Sequence, residues 1–253
     1  MTDAIALNGV AVERNGATVF SHGTFAIPRG SIVGVIGPNG SGKTTLLELL
    51  VGLLRPSEGT LEVLGETPSR GNPKVGYVPQ NYTAAVADAV RCRDLVDLAL
   101  SGTGWGLKRP RGTLGGRTDA ALAAVGAAEL GSRRLSEVSG GQQQRVAIAA
   151  GLVSEPELLL LDEPLANLDI GSARDIVTLL GEVTDDGDMT VLVVAHDLNA
   201  LLPILTGAIY LLDGHAHYDT IDNVVDEDLL SHLYGTEMGV VRTPQGDLFT
   251  RKD

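Results

Sequence analysis

Several features that would assign the chain to a secreted, membrane-spanning or nucleic-acid-binding class are scarce or missing. One cysteine, Cys92, leaves no partner for an internal disulfide, which excludes a disulfide scaffold and agrees with a reducing compartment. The apolar runs are short: Leu158 to Leu161 and Val191 to Ala195 fall far below the roughly 18 to 20 residues that a membrane-spanning helix needs. The opening Met1-Thr2-Asp3-Ala4 has no basic segment followed by an apolar one, so no secretion signal is expected. Positive charge is outnumbered, with 19 Lys and Arg against 32 Asp and Glu. The net charge of −13 works against general binding to phosphodiester backbones. No internal repeat or low-complexity tract interrupts the chain. What remains is 253 residues, 43% hydrophobic and 20% charged, enough for one large core or a core with a smaller subdomain.

The most informative stretch is Gly37-Pro38-Asn39-Gly40-Ser41-Gly42-Lys43-Thr44-Thr45, which fits G-x-x-x-x-G-K-[ST]. Before it, Ile32-Val33-Gly34-Val35-Ile36 reads as a strand buried in a parallel sheet. After it, Leu46-Leu47-Glu48-Leu49-Leu50 continues at helical spacing. The loop therefore joins strand to helix. Its glycines let successive N–H groups turn inward around phosphates at the positive end of the helix. Lys43 adds a mobile charge for the β- and γ-phosphates of a nucleoside triphosphate, and Thr44 a hydroxyl for a bridging Mg²⁺.

Around this loop the chain divides by composition. Ile5 to Ile27 reads as antiparallel strands about Asn15-Gly16, a pair suited to a tight hairpin. A helix is expected from the loop to about Leu54, then strands at Thr60 to Leu64 and Lys74 to Val78, with Gln80 after Pro79. Residues 83–152 turn to Ala, Leu, Arg and Asp, which predicts a helical subdomain inserted between 1–82 and 153–253. Within it, Gly102 to Gly112 is a basic, glycine-rich stretch, read as a solvated connection or a contact with lipid or a membrane partner. Cys92 is read as a small helix residue. Leu158 to Leu161 delivers Asp162 and Glu163, and Val191 to Ala195 delivers His196, to the carboxyl ends of strands, where open parallel sheets bind ligands. Asp226 to Leu233 reads as a capped helix stopped by Gly235, and Gly239 to Thr250 as a terminal hairpin about Pro244-Gln245-Gly246. His215 and His217 lie two apart, a spacing for one strand face, but no third metal ligand is near them in sequence.

A second phosphate-binding pattern is Ser139-Gly140-Gly141-Gln142, opening a helix whose Val146, Ala149, Ala150 and Val153 share one face. A Ser hydroxyl, two glycine N–H groups and a helix N-terminus make a second anion surface, although the first loop already surrounds a nucleotide. With these motifs in this order, the chain resembles the ATP-binding subunits of ABC transporters along nearly its whole length. Gly37 to Thr45 matches Walker A and Gln80 the Q-loop. Ser139 to Gln142 matches the signature, Leu158 to Asp162 Walker B with Glu163 behind it, Ala166-Asn167-Leu168-Asp169 the D-loop, and His196 the switch histidine.

The resemblance implies an α/β fold, a mostly parallel P-loop core with an N-terminal antiparallel β-flap and a helical subdomain. It implies an ATP hydrolase acting as a head-to-tail homodimer with two ATP between the subunits, each held by Walker A of one and the signature of the other. By it, Gly37 to Thr45 with Lys43 hold the nucleotide, and Thr44, Gln80 and Asp162 meet Mg²⁺. Glu163 orients water, His196 contacts the γ-phosphate, and Ser139, Gly140, Gly141, Gln142 and Asp169 complete the site across the dimer. Arg14 stands where the family usually stacks an aromatic ring on adenine, and Ala166-Asn167 where Ser-Ala is commoner.

The same resemblance implies peripheral attachment at the cytoplasmic face of a membrane through separate permease subunits, and an extracytoplasmic substrate-binding protein. Val194 to Asn199 and the tail near Leu230 to Gly235 are similar to the zinc, manganese and iron or iron-chelate uptake branch. An exporter ATPase is the alternative within the class. Outside it stands a soluble ABC-type ATPase acting on nucleic acid or ribosomes. Against that reading, only about 95 residues without heptads separate Thr44 from Ser139, and the chain holds one ATPase unit.

Overall fold

A computed structural model describes residues 3–80, 82, 89–101, 111–184, 189–196, 198–242 and 248–252. Among these, nine strands form one sheet and two a terminal hairpin. The chain opens with β1 (Asp3–Arg14) and β2 (Ala17–Pro28), which pair antiparallel around Asn15-Gly16, with φ of 53° and 77°. A two-residue turn with both φ positive matches the twist of the strands it joins. Then come β3 (Ile32–Ile36), α1 (Lys43–Leu50), β4 (Glu58–Val63) and β5 (Val75–Val78). Next are α2 (Cys92–Ser101), α3 (Arg111–Ala124) and α4 (Gly140–Leu152), followed by β6 (Leu158–Asp162), α5 (Ile170–Glu182) and β7 (Thr190–Val194). The chain finishes with β8 (Gly207–Leu212), β9 (His215–Thr220), α6 (Ile221–Val224), α7 (Glu227–Tyr234), β10 (Met238–Arg242) and β11 (Leu248–Lys252).

The sheet runs β4-β1-β2-β9-β8-β3-β7-β6-β5. Its central strands β8, β3, β7, β6 and β5 are parallel; β1 and β2 form the antiparallel pair of the expected flap with β4 antiparallel beside β1, and β9 pairs antiparallel with β8 and parallel with β2. Because side chains alternate across a strand, each buried strand feeds two cores. Val33, Val35, Leu158, Leu160, Leu192 and Val194 pack with Leu46, Leu47, Leu49 and Leu50 of α1. Ile32, Ile36, Leu159, Leu161, Val191 and Val193 face the other way and join Leu95, Val96, Leu122, Val146 and Ile148 of the helical insert. Fully burying each such side chain contributes roughly 1.5–3 kcal/mol. The sheet is thereby fixed between two layers, and the ends of β3, β6 and β7 come together.

Two sequence expectations shift. The first helix stops at Leu50 instead of about Leu54, because Gly52 adopts φ 71° and packs on the Ser69 backbone. Of the basic stretch Gly102 to Gly112, residues 102–110 lie outside the described residues, while Arg111 and Gly112 open α3 and are not loop. The terminal hairpin is present, its turn at 243–247 lying outside the described residues. α5, which the sequence reading passed over, buries Ile176, Val177, Leu179 and Leu180. Cys92 is buried at the start of α2, in the structural place expected of it. Among the described residues no helix is long and apolar enough to cross a membrane.

Candidate active site

Ile36 ends β3 and the chain turns at once into the glycine loop. Gly37 has φ 151°, and a Cβ there would stand 2.6 Å from both the Leu211 carbonyl oxygen and Ser41 Oγ. Gly42, at φ 104°, is the N-cap of α1, and a Cβ there would meet Val19 at 2.6 Å. No side chain caps this helix start, so its first N–H groups remain available to the loop.

Lys43 is buried, and its Nζ donates to the carbonyl oxygens of Gly37 at 2.8 Å and Pro38 at 3.0 Å. Burial lowers its pKa, and the carboxylates of Glu163 and Asp162 pull it back up. Thr44 Oγ1 donates to Asp162 Oδ2 at 3.4 Å. Asp162 is 6% exposed at the end of β6, and burial first, then Glu163, raises its pKa. A buried carboxylate pushed toward neutrality beside a hydroxyl has the donor chemistry for a hard cation. Ser41 Oγ adds a second unmet need, since it is buried with no hydrogen-bond partner. The residues present thus fit a phosphate and a divalent cation. Tyr77, on neighbouring β5, is pushed up to about 12 by burial, then by Asp162 and Glu48.

Glu163 turns out of β6 at φ 53°, an uncommon angle for a side-chain residue, fixed by its N–H donating to Val194 O at 3.1 Å. Both its oxygens are engaged. Gln80 Nε2 donates to Oε2 at 2.5 Å, and His196 Nε2 lies 2.8 Å from Oε1. Lys43, Thr44, Glu163 and His196 share a cavity of about 350 Å³ with Arg14, Val19, Asn39, Gly40, Gly42 and Thr45. Arg14, at the end of β1, is held by Glu48 of α1 at 3.0 Å. Glu48 was missed by the sequence reading, although it lies one helical turn beyond Thr44.

The remaining predicted residues gather elsewhere. Ser139 caps α4, its Oγ accepting from Gln142 N while Gln142 Oε1 accepts from Ser139 N at 3.0 Å. Gly140 and Gly141 open that helix, and a Cβ on Gly141 would meet Ser172 Oγ at 2.7 Å. Ser172 in turn donates to Asp169, the N-cap of α5, through its N–H at 3.0 Å and its hydroxyl at 2.6 Å. Those bonds hold the Asp169 carboxyl below its usual range. None of Ser139, Gly140, Gly141, Gln142 or Asp169 lines the cavity. His215 and His217 stand side by side on β9, ring centroids 6.2 Å apart, but no cluster of three or more metal-ligating side chains occurs among the described residues.

Comparison with known proteins agrees with this arrangement. The family profile described as ABC transporter matches residues 20–166. The phosphonates import ATP-binding protein PhnC of Stutzerimonas stutzeri is 37% identical over 84% of this chain and 83% of its own length. The manganese transport system ATP-binding protein MntB of Bacillus subtilis is 32% identical over 91% of this chain and 92% of its own. Among solved structures, a metal-chelate type ABC transporter in an inward-facing conformation superposes with a TM-score of 0.85 at 26% identity, covering 99% of this chain and 96% of that one.

Proposed function

The chain belongs to the ABC transporter family, as an ATP-binding and ATP-hydrolysing importer subunit, and we propose that it hydrolyses two ATP molecules shared across a head-to-tail homodimer to drive metal-ion or metal-chelate uptake. The observation that carries the proposal is the convergence of Lys43, Thr44, Asp162, Glu163, Gln80 and His196 from four separate segments at one end of the sheet. Ser139 to Gln142 and Asp169, joined through Ser172, form a second cluster, which a partner subunit would bring to the first. Residues 83–152 are then the lobe that moves with the signature, and 1–82 with 153–253 the nucleotide-holding core.

Lys43 donates to loop carbonyls, and Glu163 is engaged by Gln80 and His196. Nucleotide binding exchanges Lys43 from those carbonyls to the β- and γ-phosphates. Thr44, Asp162 and Gln80 would hold Mg²⁺, which supplies charge neutralisation at those phosphates. Release of the Gln80 bond would free one Glu163 oxygen to accept a proton from the attacking water. The water oxygen bonds the γ-phosphorus as its bond to the bridging oxygen breaks, while His196 and the partner's glycine N–H groups stabilise the charge. Arg14, pinned by Glu48, presents a planar guanidinium to the base.

The metal reading is supported by the manganese and metal-chelate relatives, and competes with oxyanion uptake through the phosphonate relative. Cargo choice belongs to a permease and a substrate-binding protein, with this chain docked at the cytoplasmic face. The Glu163→Gln variant tests the shared site. By size exclusion with light scattering in Mg²⁺, it should be a dimer with ATP and a monomer with ADP. A variant that binds ATP, remains monomeric and turns over at the parental rate would remove both the shared site and the base.

A further inference from the structure

The segment carrying His196 is tied to the far end of the chain. Three residues past the histidine, the half-buried Asn199 side chain meets β11 at Thr250, 51 residues away. Asn199 Nδ2 donates to the Thr250 carbonyl oxygen at 2.8 Å, and Asn199 Oδ1 accepts from the Thr250 N–H at 2.7 Å and from Thr250 Oγ1 at 3.1 Å. Thr250 is buried and pairs with Val240 in the β10–β11 hairpin.

Antiparallel ladders alternate between pairs that exchange both backbone bonds and pairs whose N–H and C=O groups point outward. Val240–Thr250 is an outward pair. On the β10 side, the Val240 N–H donates to Glu227 Oε1 at 2.9 Å, and two residues earlier the Met238 N–H donates to Ser231 Oγ at 2.9 Å, both on α7. On the β11 side, a carboxamide supplies the donor and acceptor of one peptide unit, so Asn199 acts as a one-residue third strand. The hairpin is clamped on one edge by α7 and on the other by the loop that follows β7.

That loop has little slack. Before His196, the Ala195 N–H donates to Val35 O at 3.2 Å. After it, Leu198 is buried and its carbonyl oxygen accepts from the N–H groups of Leu201 and Leu202 at 2.8 and 2.9 Å. His196 is itself exposed, so neighbouring packing does little to fix its ring. We infer that Asn199 is a positioning residue: by pairing with Thr250 it lets the C-terminal hairpin set where His196 stands against Glu163. The inference rests on the reading that His196 assists hydrolysis. It gives the hairpin a role at the active site although none of its described residues lines the cavity.

The test is steady-state ATPase activity of the full-length protein in Mg²⁺-ATP, for Asn199→Ala alone and combined with His196→Ala. Asn199→Ala should lower kcat about tenfold and leave KM for ATP within about twofold, because a displaced group costs rate more than binding. Thr250→Val, which keeps both backbone bonds and loses only the hydroxyl, should stay within about twofold of the parent. In the His196→Ala background, Asn199→Ala should cost less than about twofold more, since residues that act through one another are not additive. An unchanged kcat in Asn199→Ala, or an equal loss in both backgrounds, would overturn the inference while leaving His196 in its role. A His196→Ala protein that hydrolyses ATP at the parental rate would instead remove the histidine's role, and the positioning with it.

Discussion

At the scale of single residues, carboxylates that look alike in sequence have opposite energetic roles. Glu157 accepts from Lys74 and Arg29, and those bonds hold its pKa below the usual range. Its contribution to stability is present above the ordinary glutamate pKa and is lost as pH falls through the lower native value. Asp162 is the reverse. Its pKa is raised by burial and Glu163, so between the ordinary aspartate value and the raised one the native chain binds more protons than the unfolded chain, and stability falls as pH rises through that window. The ionised form of Asp162 is an unfavourable buried charge that a divalent cation would relieve. Asp162→Asn should raise the Tm of the nucleotide-free protein at neutral pH by about 2 °C and abolish the further stabilisation by Mg²⁺-ATP. The gain should shrink as pH drops below the aspartate range. Thermal unfolding with and without Mg²⁺-ATP measures both, and a lower Tm for the empty variant would contradict the sign argued here. The identities of Lys43, Thr44, Asp162, Glu163 and His196 were legible because each sits at a strand end or in a contiguous motif. Glu48 and Asn199 were not, because their meaning lies in partners 34 and 51 residues away.

At the scale of elements, what was legible follows from how local the determinant is. The buried strands declared themselves by apolar runs, the flap by Asn15-Gly16, and α4 and α7 by their caps at Ser139 and Asp226. The end of α1 was not legible, since Val51, Leu53 and Leu54 prolong the apolar pattern while Gly52 breaks the helix to pack on Ser69. A similar tertiary contact joins the helical insert to the sheet. A Cβ on Gly76 of β5 would lie 2.3 Å from the Gly151 carbonyl oxygen of α4. Backbone cannot swing aside as a side chain can, so α4 approaches β5 this closely only because Gly76 lacks a side chain. β5 leads to Gln80 and α4 begins at the signature, so this crossing also sets the distance between those two motifs. Gly76→Ala should destabilise by about 1–3 kcal/mol in urea unfolding. Gly116→Ala in α3, where a Cβ meets nothing within 4 Å, should be neutral or stabilising by up to about 1 kcal/mol. Equal midpoints for Gly76→Ala and the parent would show that α4 yields at no cost.

At the scale of the molecule, charge bears on assembly in a way no single motif shows. In the proposed dimer, two copies of a chain with net charge −13 would approach closely to share nucleotides that are themselves anionic. Like net charges disfavour that approach, and salt screens them over a length of about 10 Å at 0.1 M. The local pairs facing the cavity, such as Arg14 with Glu48, are already closed within one chain and offer little charge for a partner. The general repulsion should then outweigh specific attraction, and the ATP-dependent dimer of Glu163→Gln should tighten as NaCl rises from about 50 to 300 mM at saturating nucleotide. Sedimentation velocity across a dilution series reads the dissociation constant directly. A dimer that weakens with salt would mean that complementary charges across the interface govern assembly. The exposed arginines a few residues before the signature, Arg133 and Arg134, would then be the first to replace.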